Sequence, residues 1–107
     1  LNVNSQDLTV LQALLARDRQ IASLRTQHLI LLGHIVTNGK ITLSDAALQM
    51  DMSVSQIARL ARVLEDSGYM RRAINSENAR RHDVTATAKG RALAERVRLH
   101  IETAVER

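Results

Sequence analysis

Ser53-Val54-Ser55-Gln56-Ile57-Ala58-Arg59-Leu60-Ala61-Arg62-Val63-Leu64-Glu65-Asp66-Ser67-Gly68 contains a complete helix together with its start and stop signals. Ser53 and Gln56 have the capping-box spacing, in which the Ser hydroxyl and the Gln amide each satisfy a backbone N–H of the first turn. Ile57, Leu60, Ala61 and Leu64 recur at the helical period and predict one buried face. Gly68 supplies the left-handed conformation that ends such a helix after Ser67. Immediately upstream, Lys40-Ile41-Thr42-Leu43 is short and β-prone, and Ser44 reads as the N-cap of a brief helix carrying Ala46, Ala47, Leu48 and Met50.

Two short helices joined by a turn of about three or four residues form the helix-turn-helix pattern. Downstream, residues 69–74 and 80–85 read as two strands, with the turn formers of 75–79 between them. Thr87 is positioned to cap a last helix whose stripe is Leu93, Val97, Ile101 and Ala104. Upstream, Asn38-Gly39 is a stop signal. It closes a helix with Leu29, Leu32, Ile35 and Val36 inward, which Ser23 or Thr26 would cap; Gly33 within it marks close packing. Residues 7–22 lack Gly and Pro and carry Leu8, Leu11, Leu15 and Ala22 at helical spacing, predicting one continuous first helix. The expected order is α-α-β-α-α-β-β-α, a mainly α fold with a small β element in one domain spanning 1–107.

Charge is distributed unevenly along this frame. Of the 15 Lys and Arg and 11 Asp and Glu, the segment 53–91 holds eight basic and four acidic residues, while the segments on either side balance to zero. All of the net +4 therefore lies on one helix and the hairpin after it, the electrostatic footprint of a nucleic-acid reader. Tyr69 is the sole aromatic residue and Cys is absent. The core must therefore be aliphatic, and disulfides, thiol chemistry and cysteine-based zinc sites are excluded. The absence of Cys fits a reducing, cytoplasmic setting, and no apolar run reaches the length of a membrane span. No Gly-rich phosphate loop or Ser-His-Asp constellation points to an enzyme. His28, His34, His82 and His100 lack one-face metal spacing. A metal site would have to be assembled across a dimer with Asp18, Glu95 or Glu102, and neither a metal nor another cofactor is expected.

Four fragments in register resemble one family. Ile41-Thr42-Leu43-Ser44, Leu64-Glu65-Asp66-Ser67-Gly68, Asn78-Ala79-Arg80 and Ala86-Thr87-Ala88-Lys89-Gly90 are similar to the recurring motifs of the MarR family of winged helix-turn-helix transcription regulators. The likeness is carried by residues 27–90, and the terminal helices share only position and amphipathic character. It departs from the family pattern at Asn78, where the family has Asp, so the residue facing the wing arginine has no charge. The resemblance implies a winged helix with a DNA-binding core at about 23–86 and dimerisation helices at about 5–22 and 87–107. It also implies a homodimer that binds double-stranded DNA, usually as a repressor, with an effector that the sequence does not identify.

On that reading, Ser53, Ser55, Gln56 and Arg59 face base edges in the major groove, with Arg62 one turn further on. Gln56 has two possible roles, capping or pairing with adenine, and Val54 is placed to touch a thymine methyl. Arg80 and Arg81 are placed at the wing to enter the minor groove. Alternation along the strand sends one of Arg71 and Arg72 to phosphate, with Arg72 taken as the contact. Lys89 and Arg91 are expected to remain solvated. Leu8, Leu11 and Leu15, with Leu93, Val97 and Ile101, are expected to bury against a twofold mate. The competing readings are a winged-helix adaptor for protein interaction and a DNA-binding protein of replication, conjugation or nucleoid organisation.

Overall fold

A computed structural model describes residues 5–106; the ends of the expected domain, 1–4 and 107, lie outside the described residues. The elements run α1 (Ser5–Arg17), α2 (Arg19–Ala22), α3 (Thr26–Asn38), β1 (Ile41–Thr42), α4 (Leu43–Met50), α5 (Val54–Asp66), β2 (Met70–Ile74), β3 (His82–Ala86) and α6 (Ala88–Glu106). The strands form an antiparallel sheet in the order β1-β3-β2. The architecture is the expected one, mainly α with a small β-wing.

The α5 stripe meets the core where the periodicity predicts, whereas in α3 Leu31 is fully buried and the expected Leu29 and Val36 only partly so, and Leu48 of α4 is 81% exposed. Ile57, Leu60, Ala61 and Leu64 of α5 are buried together with Leu31, Leu32 and Ile35 of α3, Ala46 and Ala47 of α4, and Val84 of β3. Tyr69, Met70 and Leu93 complete this core. Leu93 is 1% exposed. It lies in the core of this chain instead of on the expected dimer face, because the first turns of α6 pack on the winged-helix core before the helix continues along α1.

The caps differ from expectation at three helices. Neither Ser23 nor Thr26 caps α3: the N-cap is Arg25, and the His28 ring Nδ1 accepts its N–H at 3.0 Å. Ser44 lies inside α4, whose cap is Thr42 with its hydroxyl accepting from the Asp45 N–H at 3.1 Å. The expected first helix is broken at Asp18, which caps α2 by accepting the Gln20 N–H at 3.2 Å. The break turns the Asp18 carboxylate inward, where Arg96 of α6 binds it through Nη2 at 2.6 Å and Nε at 3.0 Å. His100 Nε2 lies 3.3 Å from the same oxygen. Burial opposes ionisation of Asp18, yet the hydrogen bonds from Arg96 and His100 outweigh it and hold its pKa below the usual value.

The end of α5 is tied to the start of α6. Ser67, Gly68 and Tyr69 close α5 as a Schellman motif, with Tyr69 N–H on Leu64 O at 2.8 Å and Gly68 N–H on Glu65 O at 3.0 Å. Gly68 has φ +82°, the left-handed region that glycine enters without steric penalty. Thr87 then does two things through one hydroxyl, donating to Gly68 O at 2.6 Å and accepting the Gly90 N–H at 3.0 Å. Gly90 is so close to the chain that a Cβ there would lie 1.9 Å from Tyr69 O.

Candidate nucleic-acid interface

The first turn of α5 presents a polar edge because its inward positions are taken by Ile57, Leu60 and Ala61. Ser53, Val54, Ser55, Gln56, Arg59 and Arg62 are all exposed. The capping box forms as expected: Gln56 N–H donates to Ser53 Oγ at 3.1 Å and Ser53 N–H to Gln56 Oε1 at 2.9 Å. Arg59 forms no ion pair among the described residues, whereas Arg62 Nε lies 3.9 Å from Asp66. Both members of that pair are highly exposed, so it leaves Arg62 available to another anion.

The wing is built from asparagine side chains bonded to backbone. Asn75 Oδ1 accepts the N–H groups of Glu77 at 2.9 Å and Asn78 at 2.8 Å. Its Nδ2 donates to Asp83 at 2.9 Å. Asn78 Oδ1 accepts the backbone N–H of Arg80 at 3.0 Å, so Asn78 orders the turn without gripping the guanidinium. An uncharged residue suffices for that role. Asp83 also lies 3.9 Å from Lys40. Arg80 and Arg81 are exposed and form no ion pair among the described residues, which leaves both guanidinium groups presented at the tip.

Arg72 is placed differently from its expected phosphate contact. The register pairs it with Val84 on the core side of the sheet, and its side chain emerges only far enough to meet Glu65 of α5 at 3.4 Å. Its Nε is buried with no hydrogen-bond partner. The exposed member of the pair is Arg71, which alternation alone could not distinguish from Arg72. Lys89 and Arg91 are likewise engaged with the fold. Lys89 donates to Ser67 O at 2.8 Å and sits 4.6 Å from the Tyr69 ring centroid, and Arg91 donates to Ala86 O at 2.9 Å.

Among the residues expected at a dimer face, Leu8 is 56% exposed and Leu11, Leu15, Val97 and Ile101 are half-buried. Leu11, Leu15, Val97 and Ile101 line an open apolar cleft of about 340 Å³ between α1, α3 and α6. Glu95 and Glu102 both pair with Arg98 along α6. No cluster suited to a metal ion occurs among the described residues, and no described helix is long and apolar enough to cross a membrane.

Solved structures superpose closely on this chain. FabT from Streptococcus pneumoniae in complex with DNA matches with a TM-score of 0.81 at 16% identity, over 94% of this chain and 71% of that one. The fold is that of a MarR-like winged helix-turn-helix. A mutant MarR from E. coli complexed with operator DNA matches with a TM-score of 0.76 at 17% identity, over 94% of this chain and 72% of that one. YusO from Bacillus subtilis matches with a TM-score of 0.80 at 19% identity, over 92% of this chain and 70% of that one. Neither a family model nor a curated protein matches the sequence. A superposition over 94% of the chain cannot be confined to residues 27–90. The MarR-like fold therefore takes in the terminal helices, where the sequence motifs are silent.

Proposed function

We propose that this chain is a sequence-specific double-stranded DNA-binding transcription regulator that acts as a homodimer and represses by occupying promoter DNA in the cytoplasm. The observation that carries the reading is the exposed first turn of α5. Ser53, Ser55, Gln56 and unpaired Arg59 stand clear of the core, in the helix position that enters the major groove in helix-turn-helix readers. Exposed Arg80 and Arg81 at the wing are suited to the minor groove, and Arg62 and Arg71 to phosphate. The DNA complexes of FabT and MarR support the same reading. Leu8, Leu11, Leu15, Val97 and Ile101 supply the apolar surface for a twofold mate, which would set two recognition helices about 10 bp apart.

The test is fluorescence anisotropy on DNA upstream of the gene against scrambled DNA, at two salt concentrations. Tighter binding to the native site that weakens steeply with salt is the expected result. Equal, salt-sensitive binding to both duplexes would favour a replication or nucleoid role, and no binding would favour an adaptor. Arg59→Ala is expected to relax base preference at one position of each half-site, by about 1–3 kcal/mol if its pair is bidentate. An equal loss on all sequences would reduce Arg59 to a phosphate contact. The dimer is tested by sedimentation of Leu8→Lys, since removing residues 92–107 would also remove Leu93 from the core.

A further inference from the structure

The turn that presents the wing arginines hangs on Asn75. Its backbone N–H donates to Arg81 O at 2.9 Å, and its Oδ1 accepts the N–H groups of Glu77 and Asn78 at 2.9 and 2.8 Å. Further along, Arg81 N–H closes the turn on Asn78 O at 3.0 Å, and Arg80 N–H closes on Asn78 Oδ1 at 3.0 Å. The backbone that launches Arg80 and Arg81 is therefore set by where the Asn75 amide points.

Asp83 orients that amide. Asn75 Nδ2 donates to Asp83 Oδ1 at 2.9 Å. An ionised carboxylate only accepts, so it selects the nitrogen end of the amide and leaves the oxygen for the loop. The turn N–H groups demand the same orientation from the other side. Asp83 is itself anchored, because β3 is the central strand and Asp83 pairs with Ala73 on β2 and with Thr42 on β1. Its side chain is only 12% exposed, and Lys40 Nζ lies 3.9 Å from its other oxygen. Low exposure strengthens the bond to the amide, and the lysine offsets the charge of a carboxylate placed next to the wing.

Resting on the DNA-binding reading above, we infer that Asp83 is a positioning residue for DNA recognition: through the Asn75 amide it fixes the turn from which Arg80 and Arg81 enter the minor groove. Its contribution is to preference for a narrow, A·T-rich groove and not to attraction, since its own charge opposes that of phosphate.

The test titrates two variants on one site flanked by A·T-rich or by G·C-rich DNA. Asp83→Ala removes the acceptor, whereas Asp83→Asn removes the charge and keeps an oxygen for Asn75 Nδ2. The ratio of affinities on the two flanks cancels the effect of charge and reads positioning. Wild type should favour the A·T flanks, and Asp83→Ala should reduce that preference by about 3- to 10-fold, the weight of one hydrogen bond. Asp83→Asn should keep most of it. In a background of Arg80→Ala with Arg81→Ala, Asp83→Ala should cost no further affinity on the A·T-flanked site. An equal loss in both backgrounds would make Asp83 a support of the fold alone and overturn the assignment, as would a wild type indifferent to the flanks. Amide hydrogen exchange without DNA gives a second readout. The Glu77 and Asn78 N–H groups should exchange about 3- to 10-fold faster in Asp83→Ala than in Asp83→Asn, and equal exchange overturns the positioning step whatever the DNA result. Absence of salt-sensitive binding to every duplex removes the DNA reading and the role in recognition with it, while faster exchange would still tie the turn to Asp83.

Discussion

Replacing Gly90 by Ala tests the joint between α5 and α6 most sharply. In a helix interior the substitution should stabilise by about 1 kcal/mol, because alanine restricts the unfolded chain and favours the helix. Here the added Cβ would lie 1.9 Å from Tyr69 O and 2.9 Å from Tyr69 C, both backbone atoms that no rotamer change can move. Relieving the contact requires α6 to retreat by roughly an ångström. Three hydrogen bonds cross the same gap: Thr87 N–H to Tyr69 O at 3.1 Å, Thr87 Oγ1 to Gly68 O at 2.6 Å and Lys89 Nζ to Ser67 O at 2.8 Å. Losing or stretching them costs about 1 kcal/mol each, and overpacking adds about 1–3 kcal/mol. Net of the helix gain, Gly90→Ala is expected to lose about 3–5 kcal/mol, or about 15–25 °C in melting temperature for a domain of this size. Gly33→Ala is the matched control: against the close packing expected of it, a Cβ there meets nothing within 4 Å, and the substitution should gain about 0.5–1 kcal/mol. Urea denaturation of both at one protein concentration holds any dimer contribution constant. A Gly90→Ala protein as stable as its parent would refute the close approach.

Asp51 follows α4 in the left-handed conformation, φ 53° and ψ 50°; Asp51→Gly should raise stability by about 0.5–1 kcal/mol in urea titrations and, by removing a charge beside the α5 cap, strengthen salt-sensitive DNA binding. Burial, then the neighbouring Arg25 charge, lowers the pKa of His28 from its ordinary 6.5. The unfolded chain therefore binds a proton first as pH falls, and stability should decline from about pH 6.5 until the folded histidine also titrates. His28→Gln can still accept the Arg25 N–H and should flatten that decline; an unchanged pH profile would count against burial of a neutral imidazole. The lowered pKa of Asp18 gives stability that is complete above pH 3.8 and lost as pH falls through the lower folded value. Asp18→Asn should keep the Gln20 cap, cost about 1 kcal/mol at neutral pH given the half-exposed Arg96, and remove that acid limb from the denaturation profile.

How much of this could be read from the chain depended on whether each signal was local. Helix α5 was legible because a capping box, a 3.6-residue apolar period and a left-handed glycine all act within one segment and agree. The break at Asp18 was not legible. By helical spacing that acidic residue lands on the stripe of Leu11, Leu15 and Ala22, and it is tolerated there only because Arg96, 78 positions on, neutralises it. Caps were misplaced by one or two residues where several eligible side chains crowd together and hydrogen-bond geometry makes the choice, as with Thr42 over Ser44. Alternation put Arg71 and Arg72 on opposite faces, but which face met the core depended on the pairing of Arg72 with Val84. Leu93 shared a stripe with Val97, Ile101 and Ala104, yet that stripe leaves the winged-helix core after the first turns of α6 and runs along α1, where Val97 and Ile101 are only half-buried.

Two of the sequence fragments gain a common meaning in three dimensions. Leu64-Glu65-Asp66-Ser67-Gly68 and Thr87-Ala88-Lys89-Gly90 are separated by the whole hairpin, but they are the two halves of one joint. Gly68 lets α5 end and offers its carbonyl, and Thr87 takes that carbonyl while capping α6. Gly90 is small because Tyr69 passes directly over it. These contacts fix the angle between α5 and the long terminal helix α6, with Lys89 bridging to Ser67 as a further one. Midway along its length α6 is held by the Asp18–Arg96 pair to the break between α1 and α2. In the proposed dimer, α6 belongs to the twofold interface. Any rotation of that interface must therefore carry α5 with it, and the spacing of the two recognition helices on DNA becomes a property of how the terminal helices pack.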